Sequence, residues 1–182
     1  TVKIGDQEKT ISEINTKDLE ELKKSNEPVT LEQLAKEQLN QDQVDALRHL
    51  SNADHKKFQT LFLNGVTGSG KTAVYLNYLQ QVISNHRDAQ VLILLPEINL
   101  TPQLERRIAS HMPNQEMAVL HSGLSDKQRA RAWYAATTGK AKVILGTRLS
   151  ILTPIPNLAT IVVDEEHDSS FKQQEGLGYS AR

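Results

Sequence analysis

The stretch LFLNGVTGSGKT, residues 61–72, decides the fold. Its apolar start predicts a β-strand, and its Lys-Thr end opens an amphipathic helical pattern. Glycines let the loop between them curl until several N–H groups point at one phosphate, and the helix N-terminus adds partial positive charge. Lys71 can reach the β- and γ-phosphates, and the Thr72 hydroxyl can ligate Mg²⁺. A glycine-rich turn that binds nothing is the alternative, which this spacing disfavours. The predicted ATP-binding residues are Gly65, Val66, Thr67, Gly68, Ser69, Gly70, Lys71 and Thr72.

The composition narrows the class of protein. The chain has 182 residues, 38% of them hydrophobic, and a formal net charge of -1, so any contact with nucleic acid must come from local patches. It contains no Cys, which excludes disulfides and cysteine zinc sites within it and fits a cytoplasmic protein. No apolar run approaches the length of a membrane span, so we expect no membrane contact. Because the chain begins with Thr1, we expect it to be part of a longer protein.

Two regions are predicted. Residues 1–38 are polar and carry two short helical signals around Leu19 and Leu34. They have too few apolar residues to bury a core. We interpret them as a short, mostly helical linker or the tail of a preceding domain. Residues 39–182 form the predicted ATP-binding domain.

Gln43 lies in a predicted helix just before the glycine-rich loop. One interpretation is a capping-box partner of Asn40. The other is a glutamine that contacts the adenine of ATP, as in many helicases. The residues favour neither, and we count Gln43 among the candidate nucleotide-binding residues.

Four further apolar runs alternate with helical patterns: Val91–Leu95, Ala118–Leu120, Val143–Leu145 and Ile161–Val163. Together with the run at Leu61 they predict a parallel sheet of five strands covered by helices on both faces, an α/β fold of the P-loop NTPase type.

Polar residues follow every predicted strand, and parallel strands bring such residues to one edge of a sheet. Asp164 and Glu165 close the last strand. The Asp carboxylate can hold Mg²⁺, and the Glu can act as general base towards water. A solvated acidic turn is the alternative, which the glycine-rich loop on the same edge disfavours.

For Arg148, a phosphate contact and a surface salt bridge are nearly equal interpretations. Thr101 can touch a backbone phosphate, but its position as a helix N-cap already explains it.

Longer motifs carry a resemblance to one family. Val74-Tyr75-Leu76 follows the loop, and LLPEINLTPQ spans residues 94–103. HSGL at 121–124, GTR at 146–148 and VDEEHDSSFKQQEG at 163–176 agree in order and wording. From about Leu39 onward, the chain resembles the bacterial primosomal replication-restart DNA helicases, the PriA family. It matches their first RecA-like helicase lobe.

The resemblance implies an ATP-driven, 3′-to-5′ DNA helicase of the bacterial cytoplasm that acts on stalled forks. Its partners would be single-stranded and forked DNA, single-stranded DNA-binding protein and primosome proteins. Asp164 would hold magnesium, Glu165 would activate water, and Lys71 would complete the catalytic set. The residues that would line the DNA path are Pro96, Glu97, Thr101, Gly146, Thr147 and Arg148.

The segment from Ser169 to Arg182 resembles the family's aromatic-rich loop, which couples DNA binding to ATP hydrolysis. This sequence departs from that pattern at 177–180, so we expect Phe171 and Tyr179 to remain as the stacking aromatics, with His167 as a further coupling residue. The second lobe and the family's zinc-binding cysteines are absent from these 182 residues. We therefore expect the chain alone to bind ATP weakly and to hydrolyse it hardly at all.

Three other functions were weighed. Another DNA translocase, such as a nuclease-linked motor subunit, shares the loop and the acidic pair. A P-loop kinase for a small molecule shares the loop, but the Glu165 base argues against it because kinases avoid activating water. A pure binding module would not need Lys71, Thr72, Asp164 and Glu165 together.

Overall fold

The computed structural model describes residues 2–4, 7–9, 39–53, 57–66, 68–98, 101–172 and 180–181. The chain divides into two compact units, Thr1–Asn40 and Gln41–Arg182. In the first unit, Val2–Ile4 (β1) pairs antiparallel with Gln7–Lys9 (β2). The sequence did not predict these two strands. The helical signals predicted around Leu19 and Leu34 lie outside the described residues.

The second unit alternates helices and parallel strands. Its helices are α1 (Gln41–Ser51), α2 (Lys71–Asn85), α3 (Thr101–His111) and α4 (Asp126–Thr137). Its strands are β3 (Gln90–Leu94), β4 (Met117–Leu120), β5 (Val143–Gly146) and β6 (Leu158–Val163). Short 3-10 helices span Arg148–Leu152 and Ser169–Phe171. The strands form one sheet in the order β4-β5-β3-β6, with every pair parallel. This confirms the predicted RecA-like α/β fold.

The central strand β3 is buried on both faces. Val91 and Ile93 pack into one apolar cluster with Leu79 of α2 and Ile108 of α3. The alternate residues of β3 pack into a second cluster, which contains Ala136 of α4. Side chains alternate across a strand, so a continuous apolar run is what a strand covered on both sides requires.

The helix boundaries follow their caps. The Ser125 hydroxyl accepts a hydrogen bond from the Gln128 N–H, and the Gln128 side chain accepts from the Ser125 N–H, so the two residues form a capping box. Helix α4 ends at Thr137, and Gly139 then turns the chain with φ 73°. No helix in the described part of the chain combines the length and the apolar character needed to cross a membrane.

The prediction of a strand at Leu61–Leu63 is wrong. Residues 58–66 adopt no regular secondary structure, and most of their apolar side chains are exposed, with Phe58 96% exposed and Phe62 78% exposed. The run has the apolar and aromatic residues that strands favour, but a strand forms only where a neighbour supplies paired N–H and C=O groups. Among the described residues the sheet holds four strands and does not include this run.

Candidate nucleotide-binding site

The four strands of the sheet end level with one another. Leu120, Gly146, Leu94 and Val163 are register partners in a row across the sheet. The Asp164 N–H donates to the Leu94 carbonyl (3.0 Å), and the Thr147 N–H donates to the Leu120 carbonyl (3.2 Å). The polar groups that follow these four strands therefore meet at one edge, as predicted for a parallel sheet.

Two glycines shape the loop before α2. Gly68 has φ 80° and Gly70 has φ 82°, the left-handed region that residues with a Cβ rarely enter. A Cβ at Gly70 would also collide with the side-chain amide of Gln43. Gly70 is the N-cap of α2 and has no side-chain cap bond. The loop thus needs glycine at 70 both for its backbone angle and for the close approach of Gln43.

Side chains hold this loop from both ends. The Lys71 ammonium donates to the carbonyls of Gly65 (2.6 Å) and Val66 (3.1 Å). The Gln43 amide donates to the Ser69 carbonyl at 2.8 Å. Gln43 therefore lies against the loop, a contact that neither sequence interpretation predicted, while its contact with adenine stays a prediction. Thr67 lies outside the described residues.

The acidic end of β6 is tied to the first turns of α2. The Tyr75 hydroxyl donates to Asp164 Oδ2 at 2.9 Å, and Thr72 lies three residues before Tyr75 on α2. Burial, reinforced by the nearby Asp164 charge, raises the pKa of Tyr75 well above its ordinary value, so the phenol keeps its proton. Tyr75, to which the sequence analysis gave no role at the site, thus links the predicted magnesium ligand Asp164 to α2, the helix that carries Thr72.

Asp164 and Glu165 open a tight turn. Glu165 has φ 51° and is the one non-glycine residue with positive φ among those the structure describes. Its N–H donates to Asp164 Oδ1 (3.1 Å), and its carbonyl accepts from the Asp168 N–H (2.8 Å). Left-handed backbone is costly for a glutamate and is found most often where function requires it. The Glu165 side chain is exposed, as a residue that meets water must be.

The chemistry of these donors fits Mg²⁺. Thr72 and Asp164 offer hard oxygen ligands, which Mg²⁺ prefers. Within the described ranges, no group of three or more His, Asp or Glu side chains is arranged to hold a metal ion. A Mg²⁺ ion here would be held by one carboxylate and one hydroxyl, with phosphate and water completing its shell, as in many nucleotide sites.

The residues predicted to line the DNA path lie along the same edge. Pro96 and Glu97 follow β3, with Glu97 exposed, and Thr101 is the first residue of α3. Gly146 is buried at the end of β5, where glycine fits because a Cβ would overlap the Ser150 hydroxyl and approach the Leu120 carbonyl to 2.6 Å. Their contact with DNA stays a prediction.

Arg148 and Thr147 begin the short helix after β5. Thr147 is its N-cap, and its carbonyl accepts from the Ser150 N–H (2.8 Å). Arg148 donates to the carbonyls of Ser170 (3.1 Å) and Lys172 (3.4 Å). Its guanidinium therefore binds backbone of the segment after the acidic turn, and neither sequence interpretation, phosphate contact or surface salt bridge, foresaw this.

The expectation that Phe171 stacks on a base is wrong in this structure. Its ring is 0% exposed and belongs to the second apolar cluster, with Leu92, Leu94 and Ile144. The ring packs against this face of the sheet. The Ser169–Phe171 helix is held there by Ser170 Oγ, which donates to the Pro96 carbonyl at 3.1 Å. His167 is exposed in the turn, and Tyr179 lies outside the described residues.

A comparison with protein families assigns the chain. The family described as "Type III restriction enzyme, res subunit" matches residues 36–180. The chain belongs to this family. The match spans the whole alternation of helices and strands from α1 onward and begins three residues before residue 39, the domain start that the sequence predicted.

The resemblance to the replication-restart proteins is also confirmed. The chain is 46% identical over 128 residues to replication restart protein PriA of Haemophilus influenzae, covering 70% of this chain and 17% of that relative. It is 44% identical over 138 residues to the protein of that name from Chlamydia trachomatis and 40% identical over 133 residues to that of Bacillus subtilis. The chain spans 18% and 16% of those two relatives, so it corresponds to a small part of each.

Proposed function

We propose that this chain is the ATP-binding lobe of a DNA helicase that restarts stalled replication forks. The observation that carries the proposal is the Tyr75–Asp164 hydrogen bond of 2.9 Å, which joins the acidic end of β6 to the helix that follows the glycine-rich loop. A P-loop ATPase needs this proximity, because one Mg²⁺ ion must touch both the loop-bound phosphates and the acidic residue.

Each residue has a defined task in this proposal. The ammonium of Lys71 exchanges its loop carbonyls at Gly65 and Val66 for phosphate oxygens. Thr72 and Asp164 hold the ion, which neutralises charge on the phosphates when it is bound. Glu165, exposed and held in its turn by the hydrogen bonds of its N–H and carbonyl, orients water and takes its proton.

The level strand ends support a DNA path beside the nucleotide. The predicted DNA residues Pro96, Gly146, Thr147 and Arg148 follow β3 and β5, whose last residues pair with each other. A ligand bound along this edge would be coupled to the turn at Asp164 through hydrogen bonds, because Ser170 binds the Pro96 carbonyl and Arg148 binds the Ser170 carbonyl. The relatives named for replication restart support fork DNA as the substrate and primosome proteins as partners in the bacterial cytoplasm. Translocation in the 3′-to-5′ direction belongs to the same proposal.

A second candidate is the motor subunit of a restriction enzyme, because the matching family carries that description. It uses the same nucleotide site. The two candidates differ in the rest of the protein: a nuclease or methylase region in the full-length chain favours the restriction enzyme. Stimulation by forked over linear DNA favours replication restart.

The test is ATP hydrolysis by the full-length natural protein with and without forked DNA. Lys71→Ala should weaken ATP binding more than tenfold, because the ammonium that meets the phosphates is lost. Glu165→Gln should leave ATP affinity within about twofold and lower turnover by roughly 10² to 10⁴, the usual contribution of a general base.

The matched controls are Lys140→Ala and Glu116→Gln, which remove the same groups from an exposed ion pair of 3.3 Å elsewhere on the chain. Both should hydrolyse ATP like the wild type. Full DNA-stimulated activity in both Lys71→Ala and Glu165→Gln would contradict the site assignment.

A further inference from the structure

Tyr75 carries a hydroxyl that packing does not require. Its side chain is 5% exposed and belongs to the apolar cluster that α2 forms against the sheet. Phenylalanine would fill the same space without burying a polar group, which has a cost unless it is paired. The hydroxyl is paired, and its acceptor is Asp164, 89 residues away in the sequence. The hydroxyl therefore serves the acidic residue rather than the core.

The bond to Tyr75 fixes one Asp164 oxygen and the backbone fixes the other. Oδ2 accepts from the phenol and Oδ1 from the Glu165 N–H. A carboxylate has about four lone pairs, so each oxygen keeps one for a metal ion or its water. The two hydrogen bonds thus define the plane of the carboxylate without blocking its coordination.

Tyr75 contacts one side of the predicted ion site and is a neighbour of the other along the helix. Thr72 and Tyr75 are three residues apart on α2 and share one helix face, and the Tyr75 hydroxyl donates to Asp164. Groups that hydrogen-bond metal ligands orient them and commonly change metal affinity by 10- to 100-fold when removed. The Tyr75–Asp164 hydrogen bond therefore fixes the Asp164 carboxylate relative to α2, the helix that carries Thr72.

We propose that Tyr75 is a positioning residue that holds Asp164 and Thr72 in the arrangement that binds Mg²⁺ with the nucleotide. This inference rests on the proposed function. It assigns the hydroxyl of Tyr75 to metal binding and leaves phosphate binding to the glycine-rich loop and Lys71.

The experiment titrates Mg²⁺ into the full-length natural protein with a fluorescent, slowly hydrolysed ATP analogue and measures the Mg²⁺ concentration that gives half-maximal metal-dependent binding. Tyr75→Phe should raise this concentration about tenfold. Nucleotide affinity in the presence of EDTA should stay within twofold of wild type, which also shows that the variant site is folded. Tyr134→Phe removes a phenol that is 64% exposed on α4 and should change neither quantity.

A double-variant cycle tests whether Tyr75 acts through Asp164. In an Asp164→Asn background, the further change Tyr75→Phe should leave the half-saturating Mg²⁺ concentration unchanged within twofold. A purely structural role predicts instead that Tyr75→Phe weakens EDTA binding and Mg²⁺-dependent binding equally, in either background, and this result would overturn the inference.

The inference and the proposed function fail differently. If wild-type protein binds the analogue and Tyr75→Phe has an unchanged or lower half-saturating Mg²⁺ concentration, the positioning role is refuted and the nucleotide site stands. If wild-type protein binds no analogue with or without Mg²⁺, the proposed function is refuted and this inference with it.

Discussion

Gln90 and Asp164 stand at opposite ends of the sheet and use their polar atoms in opposite ways. Gln90, at the start of β3, is 0% exposed and donates to the carbonyls of Ala136 and Ala141, both at 2.8 Å. Its carbonyl oxygen accepts from the Asn157 N–H at 3.3 Å. Asp164, just after β6, is half-buried and keeps lone pairs available beyond its two hydrogen bonds.

The difference separates a structural polar residue from a functional one. Gln90 uses both amide protons and its oxygen on backbone groups, so it stabilises the chain. Asp164 is held in place by a phenol and an N–H but remains able to bind a further group. The two residues differ in burial, but what marks Asp164 as functional is its remaining capacity for hydrogen bonds and coordination.

The largest expected effect is at the Gln90 end. Gln90→Leu keeps much of the side-chain volume but leaves two buried carbonyls and one N–H without this partner. We expect a loss of about 3 kcal/mol in the free energy of unfolding, roughly 1 kcal/mol for each group. This loss can be measured by urea unfolding, with the fluorescence of Trp133 as the signal. Trp133 lies in α4, the helix whose end Gln90 binds. Gln103→Leu, on the exposed side of α3, should shift the free energy of unfolding by less than about 0.5 kcal/mol. Equal losses in the two variants would contradict the structural role of Gln90.

A smaller effect of opposite sign is expected at the acidic end. Glu165 has φ 51°, a left-handed conformation that asparagine adopts more readily than glutamate. Glu165→Asn should therefore raise the free energy of unfolding by about 0.5 kcal/mol, a part of the usual cost of this conformation. It should also abolish ATP turnover, because the general base is lost.

Glu165→Gln is the control for that prediction. It removes the same charge without the left-handed preference, so stability should not rise. If Glu165→Asn and Glu165→Gln have equal free energies of unfolding, the left-handed conformation of Glu165 carries no cost in stability.

The smallest effect is local and depends on pH. The Ser170 N–H donates to Asp168 Oδ1 at 2.7 Å, and this bond holds the pKa of Asp168 below its ordinary value. The folded pKa is depressed, so the stabilising contact is fully present above about 3.9, the unfolded value, and is lost as pH falls through the lower folded pKa.

The amide signal of Ser170, followed by NMR as the pH is lowered from 6, should report this change with a midpoint below about 3.9. Asp168→Asn should remove the titration. A midpoint at or above the ordinary aspartate value would show that the turn after Asp164 does not stabilise the ionised carboxylate.

Local patterns predicted the elements of the fold well. Val91–Leu95 predicted β3 because an apolar run that long needs cover on both faces, and Val143–Leu145 predicted β5 on the same grounds. The strand at Leu61 was predicted on the same grounds and was wrong, because pairing partners decide whether such a run becomes a strand. Phe171 was predicted on the surface and is buried, because the Ser170–Pro96 contact that pins its helix joins residues 74 apart in the sequence.

The candidate site divides in the same way. Spacing alone predicted the glycine-rich loop and the acidic pair, since glycines at left-handed positions and a Lys-Thr pair at a helix start are local requirements. Spacing did not predict the contacts of Tyr75, Gln43 and Arg148, whose partners lie 89, 26 and 22 residues away.

The sequence by itself therefore determined the parallel α/β architecture, the family and the candidate residues for phosphate, metal and water. Only the tertiary structure decided which of them touch: Tyr75 binds Asp164, Gln43 supports the loop, and Gln90 closes the opposite end of the sheet. The physical reason is the distance along the sequence over which each interaction acts. Backbone conformation, caps and strand periodicity are set by neighbours within a few residues, whereas a hydrogen bond between distant side chains exists only after packing has brought their elements together.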